Sequence, residues 1–273
     1  MRSATRSTLV LGALAALVTL VTPACEEDKP APAPVASATA PAVPTPAPTP
    51  SPAPTPEPTA AAAPKPKKKL SECPKTKQVE FEQKEIELEV RRKLPKAEGP
   101  ITTADLRKLR SLNLSQTKLS ELDVCVFGYM TGLKELFLGQ GDFDDLSPIA
   151  GATQLESLRA SINHVRDISP LEKLTKLDRL DLGRTQVADL KPLAALTKLT
   201  ELQLDDTQVE DVSPLAGLTL LETLSLKRTK VKDVSALKNL KKLKTLYIGG
   251  SPLDEDVMSV APVRANGTKI IAD

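Results

Sequence analysis

Leu133, Leu155, Leu177, Leu199, Leu221 and Leu243 stand 22 residues apart without a break, and each opens a segment of the same pattern. A unit that short cannot enclose a core of its own, so each copy must bury its apolar side against the next one. The chain is thereby constrained to a stack of coils whose interior is shared. Whatever it does must be sought on the surface of that stack.

In the cleanest copy, residues 199–220, seven positions carry aliphatic side chains set for burial. Leu202 and Leu204 lie two apart, which suits a short strand whose alternate residues Glu201, Gln203 and Asp205 face solvent. Further on, Asp, an aliphatic, Ser, Pro and an aliphatic recur at 145–149, 167–171 and 211–215, with Lys191 and Ala236 each disturbing one position elsewhere. The Ser reads as a helix N-cap and the Pro as a first-turn residue whose missing amide proton has no intrahelical partner to lose. The ninth position holds Thr117, Gly141, Asn163, Thr185, Thr207, Thr229 and Ser251. There the chain bends inward and needs a side chain to bond buried backbone. Gly141 offers none, so the second coil is expected to be the looser one.

Leu-x-x-Leu-x-Leu at the head of such a period marks a leucine-rich repeat. With Leu-Thr-Lys-Leu at 174–177 and 196–199 and Ile168-Ser169-Pro170-Leu171, the chain resembles the internalin-like class of bacterial leucine-rich repeat proteins from about Glu80 onward. The resemblance implies an α/β solenoid, a horseshoe or arc with parallel strands on its concave face and short helical turns on its convex face. It also implies protein recognition as the task. The first coil, entered at Leu109, runs two residues long before Leu133, the irregularity falling at 123–131.

Open ends of a solenoid expose apolar faces and need covers. Upstream, Ile86, Val90 and Leu94 lie four apart in a charged stretch, as one stripe of an amphipathic helix does, although Leu88 spoils the count. After Gly99-Pro100, Thr102-Thr103-Ala104-Asp105 reads as a capping box opening a short helix. Downstream, residues 254–260 are expected to form a closing helix and 269–272 a final strand. The organisation is therefore read as 1–24 signal peptide, 25–72 Pro/Ala-rich disordered linker, 73–108 N-terminal cap, 109–253 about seven coils and 254–273 C-terminal cap.

Residues 26–70 alternate Pro with Ala and Thr and end in a lysine run, a composition that cannot build a core and reads as an extended tether. Before it, Arg2 and Arg6 precede an apolar run too short to span a membrane comfortably, the mark of a secretory signal. Cys25 follows Thr22-Pro23-Ala24, which resembles the lipobox of bacterial lipoproteins, where the cysteine receives lipid, palmitate included, and anchors the chain to a membrane. Thr22 and Pro23 depart from that pattern, and ordinary cleavage leaving Cys25 as a free thiol is the alternative. Three cysteines in an oxidising compartment leave one unpaired; lipidation of Cys25 removes the odd one, so Cys73 and Cys125 are free to pair. Two buried free thiols are the other outcome.

Conventional enzyme chemistry is poorly supplied. His164 is the single histidine, which leaves no ordinary His-based metal site and no Ser-His-Asp or Cys-His arrangement. Asp142, Asp144 and Asp145 lack the glycine and distal glutamate of a calcium loop, and Gly139-Gln140-Gly141 lacks the rest of a phosphate cradle. A formal charge of +2 and 2% aromatic residues are a poor footprint for nucleic acid. The chain is read as non-enzymatic, with no cofactor, no metal and no nucleic acid.

Stacked strands place equivalent residues in columns. The centre column reads Asn113, Phe137, Arg159, Asp181, Gln203, Ser225 and Tyr247; its neighbour reads Ser111, Glu135, Ser157, Arg179, Glu201, Thr223 and Thr245. Phe137 and Tyr247, taken as exposed, are candidate anchors at opposite ends, because aromatics and arginine dominate interface hot spots. Arg159, Arg179, Asp181, Glu201, Gln203 and Asp205 complete the candidate surface. The leading reading is an extracytoplasmic lipoprotein whose concave face binds a protein partner. The alternative is an envelope-organising structural protein that binds cell-wall glycan or peptidoglycan, and an enzyme, which would require a cleft that repeats do not predict, is third; for the strand-face charges the bland reading is that they only solvate the surface.

Overall fold

The computed structural model describes residues 69–74, 77–95, 98–254 and 257–272. The expected signal peptide, Cys25 and all but the end of the Pro-rich segment lie outside these residues. The described residues form one compact unit.

Its spine is an eight-stranded parallel sheet in sequential order. The strands are β1 (Ser111–Leu114), β2 (Glu135–Leu138), β3 (Ser157–Arg159), β4 (Arg179–Asp181), β5 (Glu201–Gln203), β6 (Thr223–Ser225), β7 (Thr245–Tyr247) and β8 (Lys269–Ile271). Register follows the repeat, pairing Leu136 with Leu158, Leu158 with Leu180, and so on to Leu246 with Ile270. In residues 199–220 the seven aliphatics are Leu199, Leu202, Leu204, Val209, Val212, Leu215 and Leu218, each no more than 1% exposed. One continuous core runs from Ile86 to Val263.

The turns opposite the strands are short 3-10 segments such as Ser169–Leu171 and Ser213–Gly217. Their capping differs from the sequence reading. Ser is the first residue of the turn, the aliphatic before it holds the N-cap position, and the capping bond comes from the Asp one residue further back. The carboxylates of Asp145, Asp167, Asp189, Asp211 and Asp233 accept the amides of Ser147, Ser169, Lys191, Ser213 and Ser235 at 2.7–2.9 Å. A carboxylate reaches two residues ahead and neutralises the orphan amide more strongly than a hydroxyl can. This is why Lys191 replaces Ser without loss of the turn. At Asp211 and Asp233 these backbone bonds, with the seryl hydroxyls adding to them, hold the carboxyl below the usual range.

From the third coil to the seventh the ninth residue behaves as its chemistry demands. The hydroxyls of Thr185, Thr207, Thr229 and Ser251 donate to the carbonyl three residues back at 2.6–2.8 Å. Asn163 donates to the Ala160 carbonyl and accepts the Val165 amide. At Gly141 the missing side chain leaves no gap. There the first coil closes directly onto the second through a parallel bridge between Leu119 and Gly141, the Asp142 amide donating to the Leu119 carbonyl at 2.9 Å. Backbone packs where a side chain would otherwise stand.

The residue before that position turns left-handed in successive coils: Ile162, Arg184, Asp206 and Arg228 have φ of 61°, 56°, 56° and 51°, and Gly250 closes the series at 69°. For a β-branched residue this geometry is the worst case, costing about 1–2 kcal/mol. Ile162 is also 38% exposed, so burial recovers little of it. Ile162→Asn is expected to raise stability by about 1 kcal/mol in urea unfolding; unchanged or lower stability would show that the isoleucine is held by packing.

Both ends are covered. Helix α1 (Lys84–Lys93) buries Ile86 and Val90, followed by Leu94 at its C-cap, and leaves Leu88 57% exposed. Helix α2 (Thr103–Lys108) opens with a capping box in which Thr102 and Asp105 exchange backbone bonds. The long first coil takes an α-helical turn, α3 (Val124–Phe127), with Asp123 capping it. Cys125 in that turn is disulfide-bonded to Cys73. At the far end α4 (Val257–Arg264) starts and ends later than the expected 254–260, because Pro252–Asp254 forms a turn of its own first.

Candidate binding surface on the strand face

Period-two alternation turns one side of every strand outward, and the sequential sheet converts those residues into the two columns read from the sequence. Six candidates line one shallow groove of about 340 Å³ across β2 to β5: Phe137, Arg159, Arg179, Asp181, Glu201 and Gln203. Glu135 and Ser157, together with the edges of Leu158 and Leu180, complete it. Glu135 stands in the column beside Arg179 but has no individual signal in the sequence; only the groove's outline selects it.

The charges in the groove are not equivalent. Arg159 Nε lies 3.1 Å from Asp181 and 3.2 Å from the Ser161 hydroxyl, while Asp181 also accepts the Gly183 amide at 2.9 Å. That pair is built into the surface. Among the described residues Arg179 reaches only Asp178, at 3.7 Å, and its side chain is 56% exposed. Glu201 and Gln203 are exposed. An exposed ion pair contributes little to folding, so Arg179 and Glu201 can meet a partner's charges at small cost to the fold.

Two candidates stand apart from this groove. The Asp205 carboxylate accepts the Ser225 hydroxyl and the Lys227 amide, which ties coil to coil and gives it a structural task. Tyr247 is five ladder steps from Phe137, roughly 24 Å, and Lys227 lies over its ring at 5.1 Å. Both aromatics are half-buried, not exposed. Beside the face, Asp206 sits between Arg228, at 2.6 Å, and Arg184, at 3.5 Å; the hydrogen bonds from Arg228 hold its carboxyl below the usual range. His164 is exposed on the adjacent rim. Among the described residues no group of three or more His, Cys, Asp or Glu is placed to hold a metal ion.

Stacked coils with a regular interior and a face that varies from strand to strand define a leucine-rich repeat solenoid. A family model described as leucine-rich repeats in two copies matches residues 153–195. An internalin of known structure from Listeria monocytogenes is 31% identical, with a TM-score of 0.57 over 62% of this chain and 52% of its own. Internalin C2 from the same species is 30% identical, with a TM-score of 0.59 over 65% of this chain and 88% of its own. The chain thus spans about half the length of the first and most of the second. No curated protein matches it. The chain belongs to the internalin-like leucine-rich repeat family.

Proposed function

We propose that the protein is a non-enzymatic, extracytoplasmic lipoprotein, tethered through Cys25, that binds a protein partner on the strand face between β2 and β5. The observation that carries the binding site is the convergence of Phe137, Arg179, Glu201 and Gln203 on one groove, an aromatic edge beside charges the fold does not consume. A half-buried ring flanked by arginine is the composition of an interface hot spot. The two aromatics are too far apart to clamp one sugar ring, so the protein reading is preferred to the glycan one.

The disulfide supports an oxidising compartment, since such bonds persist in secreted chains and are rare in the cytosol. The leader and Cys25 supply the route there. Cys25→Ser is expected to move the protein from the membrane fraction to the soluble fraction and to abolish labelling with radioactive palmitate. Retention in the membrane with label intact would defeat the anchor.

For the face, a photoreactive residue at position 203 is expected to crosslink one protein in intact cells. Arg179→Glu with Glu201→Arg should lower that crosslink at least tenfold while shifting the melting temperature by less than about 2 °C, because exposed pairs contribute only ~0–1 kcal/mol. An undiminished crosslink would refute the site.

A further inference from the structure

The flank that descends from the strand edge toward the 3-10 turns carries a second set of columns, distinct from the strand face. One column reads Asp142, His164, Gln186, Gln208 and Lys230; the next exposed column reads Asp144, Arg166, Ala188, Glu210 and Lys232. Between them Phe143, Val165, Val187, Val209 and Val231 point into the core. Backbone bonds hold the coils in register here, with the amides of His164, Gln186, Gln208 and Lys230 donating to Phe143, Val165, Val187 and Val209 at 2.9–3.1 Å. The flank is therefore a fixed grid with a known spacing.

Its charges invert about the middle coil. Counting outward from Ala188, Arg166 answers Glu210 and Asp144 answers Lys232. Counting outward from Gln186, His164 answers Gln208 and Asp142 answers Lys230. Ala188, small and uncharged, marks the centre. A two-fold axis lying in the plane of contact and crossing the stack at right angles keeps each column on itself and reverses the order of the coils. Under that operation every charge these columns carry from the second coil to the sixth meets its opposite, while Lys118, one coil further out, falls opposite Pro252.

We infer that this flank is a self-complementary surface on which a second copy of the chain docks antiparallel, coil 4 on coil 4. The charges fix register and orientation rather than supplying bulk affinity. Their bonds within the chain are exposed and exchangeable: Asp142 to Lys118 and Glu210 to Lys230 are 3.8 and 3.9 Å, Arg166 donates to the Gln186 side chain at 2.5 Å, and Asp144 and Lys232 are exposed. The adjoining Asp column is of one sign and meets itself under the same operation, so its repulsion bounds the contact on that side. A whole-chain charge of only +2 opposes the approach of two copies weakly. The strand face takes no part, so this pairing stands or falls independently of the partner site proposed above.

Charge-swap complementation tests it. Sedimentation equilibrium on the full chain, disulfide intact, should show a dimer at low ionic strength whose dissociation constant rises at least tenfold at 0.5 M salt, about where screening falls to a few ångströms. Lys230→Glu with Lys232→Glu should be monomeric, and so should Asp142→Lys with Asp144→Lys. Mixing these two variants should restore dimers, because each then offers the charge the other lacks at both ends. Circular dichroism and melting of each variant alone establish that it is folded. A wild-type chain that stays monomeric at low salt, swapped variants that dimerise alone, or folded variants that do not pair when mixed would each overturn the inference.

Discussion

Gly141→Thr, which restores the residue that four other coils carry at the ninth position, is expected to destabilise the protein by about 3 kcal/mol instead of stabilising it. A side chain at 141 would place its Cβ 1.9 Å from the Leu119 carbonyl oxygen and 2.9 Å from the carbonyl carbon. Both are backbone atoms of a coil held on its other side by the cap, and neither can swing away as a flexible side chain would. Relief requires the first coil to lift, which breaks the bond from the Asp142 amide to Leu119 and the parallel bridge with it. The hydroxyl that Thr185 and Thr207 use to satisfy a carbonyl three residues back gains one hydrogen bond, worth ~1 kcal/mol, and does not offset the clash. Urea unfolding read by far-ultraviolet circular dichroism measures the difference. Stability at or above wild type would mean that the two coils separate without cost and that the bridge is incidental.

Loss of the Cys73–Cys125 disulfide is expected to have the largest effect of all. The two cysteines are 52 residues apart in sequence, and the loop they close contains α1, α2 and β1. Restricting a loop of that length in the unfolded chain stabilises the native state by about 4 kcal/mol on the chain-entropy account. In a repeat protein each unit leans only on its neighbours, so the weakening concentrates at the end where the bond is. Cys73→Ser with Cys125→Ser should therefore lower the melting temperature by on the order of 10 °C. Amide exchange should quicken first in α1 and β1 while the coils around β4 and β5 keep their protection. Uniform quickening along the stack would show that the solenoid unfolds as one unit. An unchanged melting temperature would show that the cap's apolar contacts through Ile86, Val90 and Leu106 suffice without the bond.

Most of the fold was legible because a repeat states its packing many times over. The spacing of Leu199, Leu202 and Leu204 fixes a strand, Val209 and Val212 fix the descending arm, and 22-residue recurrence fixes parallel pairing. The helical cap was readable from Ile86, Val90 and Leu94, and the capping box from Thr102 and Asp105. The misreadings share one cause. Ser147 looks like a cap until the backbone shows the Asp145 carboxylate reaching the amide of residue 147. Gly141 looks like a missing side chain until the neighbouring coil is seen lying against it. In each instance a local rule was applied where a partner from another turn or another coil had the stronger claim.

The candidate surface was legible as columns but not as a site. Alternation places Phe137, Arg159, Arg179, Asp181, Glu201 and Gln203 outward, and stacking brings them together in one groove. Nothing in the pattern separates Arg179 from Arg159, or Gln203 from Asp205. That separation comes from Asp181, which engages Arg159, and from Ser225 and Lys227, which engage Asp205.

The sequence alone determined the period, the direction of each strand, the identity of the buried face and the presence of covers at both ends, because burial in a stack repeats the same apolar demand every 22 residues. Tertiary structure decided which exposed charges remain unspent, where backbone replaces side chain between the first two coils, and which flank carries charges that invert about its centre. Those properties depend on distances between residues 20 or more apart in the chain, and a periodic pattern fixes neighbours without fixing how they share their bonds.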